Sequence, residues 1–466
     1  MDCGASSGIP AGLTGNPACI RDCARSCVIR NGFESIAIGA VEAPRRPEPG
    51  EVRRPAAIKL NKGLGEKSRK KRFSYMKKIL VIFSLAAIFL TGCEIAEFGP
   101  KGPEPETPSK DAGLTGEKVN VAGIPTTARK LFVLNEGGMG SNNATLDFLR
   151  FSDGNYVTGA FKKMNPSVGA GLGDVGNDIA IRGDEAWIVV NNSGIVEVIS
   201  AVDETEIAAI AVPTPRFVAF DGSYAYVTSW AGAYANYGSD YSITDYKNPK
   251  GQVYRINLST KKVEGSVEVG YQPEGIACYD GKLYVANSGG IASQLPPSYS
   301  YDNTVSIIDT KSFTVTKTVD VQYNLKNVYS DGAGRVYVTT LGNYWDVHSG
   351  VYMLDAQGNV KHIADYVSVS AMLDGTLYCI GTETEYDWSA ASHSYTGFKV
   401  NAGSKAGWSP AISATTPYCL GMITADCFVV GDAGDYFNPG TLACYQNGAK
   451  IWTVTAGVCP GHVALW

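Results

Sequence analysis

Aromatic and charged residues crowd into a few loops of this chain. The segments "WAGAYANYGSDYSITDYKNPK" from Trp230, "SGGIASQLPPSYSYDN" from Ser288, "LGNYWDVHSG" from Leu341, "TETEYDWSAASHSYTG" from Thr382 and "DAGDYFNPG" from Asp432 are dense in Tyr and Trp. Such side chains offer large, rigid contact area with a polar tip, which suits a bulky, partly planar organic ligand or a protein partner. The candidate ligand-binding residues are Trp230, Tyr234, Tyr237, Tyr299, Tyr301, Tyr344, Trp345, Tyr386, Trp388, Tyr436 and Phe437. Arg216 joins them as a possible partner for an amide or phosphate; its other reading is an ion pair with a neighbouring carboxylate.

Catalytic chemistry is harder to find. There are 4 His, namely His348, His362, His393 and His462, and none has a second His at i+2 or i+4 to make a preformed metal site. Glu383, Glu385 and Asp387 bring to mind the paired carboxylates of glycosidases, but acids crowded in one loop read as solvated surface. No nucleophile elbow, phosphate loop or dinucleotide fingerprint occurs in a strand-to-helix context. The expectation is a non-enzymatic protein with no catalytic residue, metal or cofactor.

The loops belong to a repeat. "GNDIAIRGDEAWIVVNN" (from Gly176), "PRFVAFDGSYAYVTSW" (Pro215), "PEGIACYDGKLYVANS" (Pro273), "LKNVYSDGAGRVYVTT" (Leu325), "SVSAMLDGTLYCIGTE" (Ser368) and "PYCLGMITADCFVVGD" (Pro417) share one register. Each holds an apolar strand, a turn that is usually Asp-Gly, and a second apolar strand; both central turn positions are expected at φ > 0. A variable loop and two further strands follow, as in "NTVSIIDTKSFTVTKTVDV" from Asn303. Four antiparallel strands recurring every few tens of residues predict an all-β fold, a β-propeller of four-stranded blades, without helices.

The two ends of the repeat region are each half a unit. "PGHVALW" from Pro460 matches a first strand, and "RKLFVLNEGG" from Arg129 matches a second strand that lacks its first. Together they complete one blade, giving seven in all, and closing the ring removes an exposed sheet edge. Loops between second and third strands emerge on the same face as the links between blades, so the aromatic loops frame one mouth of the central channel. Binding groups ride on loops held by a rigid scaffold, which points to that face.

Residues 128–466 form the propeller in this reading. Before it, residues 1–92 hold 16 Lys and Arg against 7 Asp and Glu, so the formal charge of −5 hides a body near −14. An acidic body argues against nucleic acid as a partner. "MKKILVIFSLAAIFLTGC" (Met76 to Cys93) has a Lys77-Lys78 start, a short apolar core and small residues, the pattern of an export leader. Its "LTGC" ending resembles a bacterial lipobox, which implies lipidation at Cys93 and a leader over residues 76–92. Residues 93–127 read as a flexible Pro/Glu-rich stalk. Residues 1–75, upstream of a complete leader, are expected to be a non-native extension, with a short zinc or redox module on Cys3, Cys19, Cys23 and Cys27 as the alternative. Six Cys fall in the propeller and lean towards free, buried thiols, with a disulfide near the closure as the alternative.

"KLYVANSGG", "NTVSIIDTKSFTVTKTVDV" and "YQPEGIA" resemble the YncE-like propeller family. "LFVLNEGGMGSNNATLDF" with the lipobox is similar to lipoproteins of Bacteroidota type, the group that includes vitamin B12-capturing members. The resemblance implies a monomeric, lipid-anchored protein of the outer membrane, at the cell surface or facing the periplasm. It also implies capture of a bulky small molecule such as a corrinoid for a TonB-dependent transporter. A lactonase-like propeller enzyme and a purely protein-binding propeller remain the alternatives.

Overall fold

The structure, a computed structural model, describes residues 110–237, 243–291, 301–344, 346–384 and 392–466. Their strands form seven antiparallel four-stranded blades, the first of which carries a short fifth strand. Six inner strands span Gly176–Arg182 (blade 2), Pro215–Asp221 (3), Pro273–Tyr279 (4), Leu325–Ser330 (5), Val367–Leu373 (6) and Pro417–Thr424 (7). Five begin at the residue the repeat register gives, and blade 6 begins one residue earlier. The inner strand of blade 1 is the C-terminal Pro460–Leu465, paired antiparallel with Lys130–Asn135. Phe132 lies opposite Ala464, and Asn135 opposite Pro460. The ring is therefore closed by joining the two ends, as the half-units imply.

Period-two alternation sends successive side chains of one strand to opposite sides, so each blade contributes to two interfaces. In Lys130–Asn135, Leu131 and Val133 pack towards blade 7, while Phe132 and Leu134 pack towards blade 2. The apolar core is accordingly divided into seven clusters, one per blade interface. Gly275 marks how closely inner strands approach. A Cβ there would come within 2.7 Å of the Asn327 Cα and the Lys326 carbonyl of the next blade.

The inner hairpin turns differ between blades, and blade 5 has a longer one through residues 331–335 with Gly332 and Gly334 at φ > 0. Asp280-Gly281 and Asp374-Gly375 have both central residues at φ > 0, as expected. In blades 2 and 3 only Gly183 and Gly222 are left-handed, because there Gly occupies the first central position, the type II′ arrangement. Blade 7 turns through Ala425-Asp426 with neither at φ > 0. The expectation of no helix is corrected among the described residues by a short α-helix, Ala160–Met164, between blades 1 and 2, where Phe161 fills the core between them, and by a 3-10 turn at Lys110–Gly113.

The stalk boundary also moves. Residues 110–127, expected to be flexible, are packed onto the ring: Glu117–Lys118 pairs with Asn155–Val157 as the fifth strand of blade 1. Beyond it Val119, Val121 and Ile124 cover the cluster between blades 7 and 1. Three apolar residues among polar ones were enough to dock the segment because a ring seam lay beneath them. Asp111 anchors its start in a buried charge cluster. Lys130 Nζ lies 2.8 Å from Asp111 Oδ2 and 2.5 Å from Glu204 Oε1, and Arg150 Nη2 donates to the Asp111 carbonyl at 2.8 Å. Among the described residues no helix is long and apolar enough to cross a membrane.

Candidate functional site

The mouth face differs from the turn face in backbone conformation before any side chain is considered. Every inner strand carries one extra residue near its start relative to its second strand, a bulge repeated in all seven blades. Six inner strands are preceded by a non-glycine residue at φ > 0: Val175, Thr214, Gln272, Asn324, Tyr366 and Cys459. Three of these stand before Pro, where the chain normally runs extended, and β-branched Val and Thr fit the left-handed region worst. Each such residue costs roughly 1–3 kcal/mol and persists only where its surroundings over-determine it.

Five of the six carry a repeated backbone staple, which blade 7 also has although its Thr416 is not left-handed; Tyr366 instead donates its own N–H to the Ser349 carbonyl at 2.6 Å. The residue just after the second strand donates its N–H to the carbonyl of the residue before the first: Asn191 to Val175 at 2.7 Å, Trp230 to Thr214 at 3.1 Å, Ser288 to Gln272 at 3.1 Å. The same bond joins Glu136 to Cys459 at 2.8 Å, Leu341 to Asn324 at 2.9 Å and Ala433 to Thr416 at 3.0 Å. Bulges re-aim side chains next to binding sites. Here they swing the second residue of each inner strand out of the sheet pattern, at the rim where the aromatic loops rise.

That column reads Asn177, Arg216, Glu274, Lys326, Ser368, Tyr418 and Gly461 around the ring. Arg216 of blade 3 reaches Glu274 of blade 4, with Nε 3.0 Å and Nη2 2.9 Å from Oε2. Its guanidinium carbon also lies 4.6 Å from the Trp230 ring centroid, a cation–π contact. Burial raises the Glu274 carboxyl above the usual range, opposed first by Arg216 and then by Lys326 and the Trp230 indole. Across the seam between blades 7 and 1, the Tyr418 hydroxyl donates to Glu136, and its ring meets Tyr436 edge-on at 5.8 Å. Deeper in, His462 Nδ1 lies 3.4 Å from Asp178 Oδ1 and its ring meets Phe217 at 5.7 Å, so this His is tied to neighbouring blades.

The predicted aromatic residues that the structure describes fall on blades 3, 4, 5 and 7. In blades 3 and 4, Trp230 lies beneath Arg216, and the long loop after it forms a hairpin of its own, Tyr234–Tyr237 with Ile243–Lys247. Ala233 and Ala235 of that hairpin pack on Ile291 of the next loop, and Tyr234 is exposed with its hydroxyl on Asp245 at 2.8 Å. Tyr237 ends the first hairpin strand. Tyr301 packs against Tyr323, ring centroids 6.0 Å apart. In blade 7, Asp435 caps the Phe437 and Asn438 amides, both at 2.9 Å, holding Phe437 outward at 65% exposure. Tyr436 and Tyr344 are both at φ > 0 and half-buried. Cys93, Tyr299, Trp345, Tyr386 and Trp388 lie outside the described residues, as do Glu385 and Asp387.

Sequence reasoning missed Glu274, Lys326, Tyr418 and Tyr323. The first three share one column of the aligned repeats, two residues into each unit, and comparing that column across units would have found them. All six propeller cysteines are free thiols, five of them buried. Burial pushes the half-buried Cys278 thiol up to about 12. Among the described residues no group of three or more His, Cys, Asp or Glu side chains is placed to hold a metal ion.

No protein-family model matches the sequence, and no curated protein matches it. Solved structures do. The hydrazine synthase of Kuenenia stuttgartiensis is 16% identical over 62% of this chain and 88% of its own, with a TM-score of 0.46. A quinoprotein alcohol dehydrogenase-like protein from Bacteroides thetaiotaomicron is 12% identical over 73% of this chain and 79% of its own, with a TM-score of 0.47. Likenesses this distant transfer no chemistry, and the seven-bladed propeller stands on its own strand pairing.

Proposed function

We propose that this chain is a non-enzymatic, lipid-anchored capture protein whose channel mouth binds a bulky, partly planar organic molecule. The observation that carries the reading is that strained inner-strand starts, seven bulges and exposed aromatic loops all occur on one face. A fold that keeps strained backbone in six of seven repeats at one rim holds the side chains there in fixed positions, which lowers the ordering cost of binding. The aromatic loops supply rigid contact area, and the Arg216–Glu274 pair supplies polar orientation.

The resemblance to capture lipoproteins makes a corrinoid the first ligand to test and a TonB-dependent transporter the natural recipient, with Cys93 as the lipid attachment at the outer membrane. Residues 93–466 are titrated with cyanocobalamin by calorimetry and Trp fluorescence. Binding heat with quenching at micromolar ligand is the expected result. Neither heat nor quenching overturns the corrinoid assignment.

A further inference from the structure

Arg216 is held as firmly as a surface cation can be. Asn177 Nδ2 donates to its carbonyl at 2.6 Å, Glu274 takes its Nε and Nη2, and Trp230 covers one face of the guanidinium. Glu274 is fixed in turn by Thr228 Oγ1, which donates to its carbonyl at 2.8 Å. A guanidinium has five N–H donors and no acceptor. Nε and one Nη2 hydrogen face Glu274, and among the described residues nothing accepts from Nη1. The side chain as a whole is only 15% exposed, but Nη1 is not among the buried unmatched atoms and keeps contact with solvent at the mouth. A cation fixed in this way loses little further freedom when a ligand oxygen replaces its water, and a charge-assisted bond is the stronger kind.

We infer that the outer edge of Arg216 is a preset anchor for a carboxylate on the captured ligand, so that the mouth selects planar organic acids over their neutral amides. The inference rests on the capture reading of the same mouth and adds the chemical class. The chemistry of the anchor favours the acid, because a guanidinium stays charged at any ordinary pH and offers only donors. A bidentate guanidinium–carboxylate pair is also stronger than a guanidinium–amide bond.

The test uses 15N-labelled residues 93–466, which contain every blade interface described above, with benzoate and benzamide as isosteric probes. The Trp230 indole N–H signal, assigned by Trp230→Phe, is followed during each titration. Benzoate is expected to shift it saturably, benzamide to bind at least tenfold more weakly, and the Arg216→Gln/Glu274→Gln double variant to lose the benzoate response. That double variant keeps an amide pair in place of the ion pair, so neither member of the pair is left charged without the other. No benzoate shift in the folded wild type, an equal response to benzamide, or a response retained in the double variant overturns the inference. Cyanocobalamin is titrated into the same samples. Its binding beside a silent benzoate titration keeps the capture reading and removes this inference; a benzoate response without cobalamin binding keeps this inference and removes the corrinoid assignment.

Discussion

The docked segment before blade 1 invites a direct test through Asp111→Asn. The Asp111 side chain is 2% exposed and faces two cations, Lys130 at 2.8 Å and Arg150 at 3.3 Å. Removing one partner of a buried ion pair costs about 3–5 kcal/mol when the other is left alone. Lys130 is not left alone: it keeps Glu204 at 2.5 Å and the carbonyls of Ala201 and Val202 at 3.2 and 2.7 Å. Arg150 keeps the half-exposed Asp153 at 3.1 Å. The loss should therefore fall at or below the lower end of that range, about 2–3 kcal/mol, a drop of several degrees in thermal midpoint for a domain of this size. The loss also depends on pH. Burial pushes the Glu204 carboxyl up to about 7, with Lys130 pulling it back down and Asp111 and Asp203 adding to the rise. Below that value Glu204 is increasingly neutral and cannot replace the lost charge, so the variant should lose more at pH 5.5 than at pH 8. Melting curves of wild type and variant at the two pH values decide it. A midpoint unchanged at both, or a larger loss at pH 8, would refute the placement of Asp111 in a working charge cluster.

Three further outcomes follow from the same geometry. Deleting residues 460–466 removes the inner strand of blade 1 and exposes the sheet edge of Lys130–Asn135, and should lower the thermal midpoint sharply; an unchanged midpoint contradicts ring closure. Gly275→Ala drives a methyl group into the backbone of blade 5 and should cost about 1–3 kcal/mol, read as a shifted denaturation midpoint with the slope preserved. Glu197, buried in blade 2 with Oε1 unmatched, is pushed up to about 8 by burial, with Glu206 adding to the rise. Since the folded state holds that proton more tightly than the unfolded chain, its contribution is complete below the unfolded carboxyl value and is lost as pH rises towards 8. Wild type should then lose on the order of 2 kcal/mol relative to Glu197→Gln between pH 5 and pH 8, and parallel stability curves would show the carboxyl to be solvated.

The repeat was legible because each hairpin is a local object. Asp280-Gly281 carries its own turn chemistry, and the alternation in "KLYVAN" fixes which residues face which neighbour, so the inner strands begin where the sequence register puts them. Ring closure was legible for the same reason, since a half-unit at each end has one way to be completed. The features that escaped are products of the ring and not of any one unit. Asp111 reads as one acid in a polar stretch until Lys130, Arg150 and Glu204 surround it. Arg216 reads as a cation with a carboxylate on a neighbouring blade as one of its two readings, but only the packing of blade 4 on blade 3 identifies that partner as Glu274, fifty-eight residues on. The left-handed residues are harder still, because Val175 and Thr214 are poor choices for that conformation by local preference. Their conformation is imposed from outside by the staples to Asn191 and Trp230, which exist only once the first two strands of each blade have paired. Local preference therefore wins across most blade hairpins and loses at the mouth, where the departures occupy the same rim position in six of the seven blades. A sequence that departs from its own local rules at the same position in six repeats marks that position as the part of the scaffold under a demand other than folding.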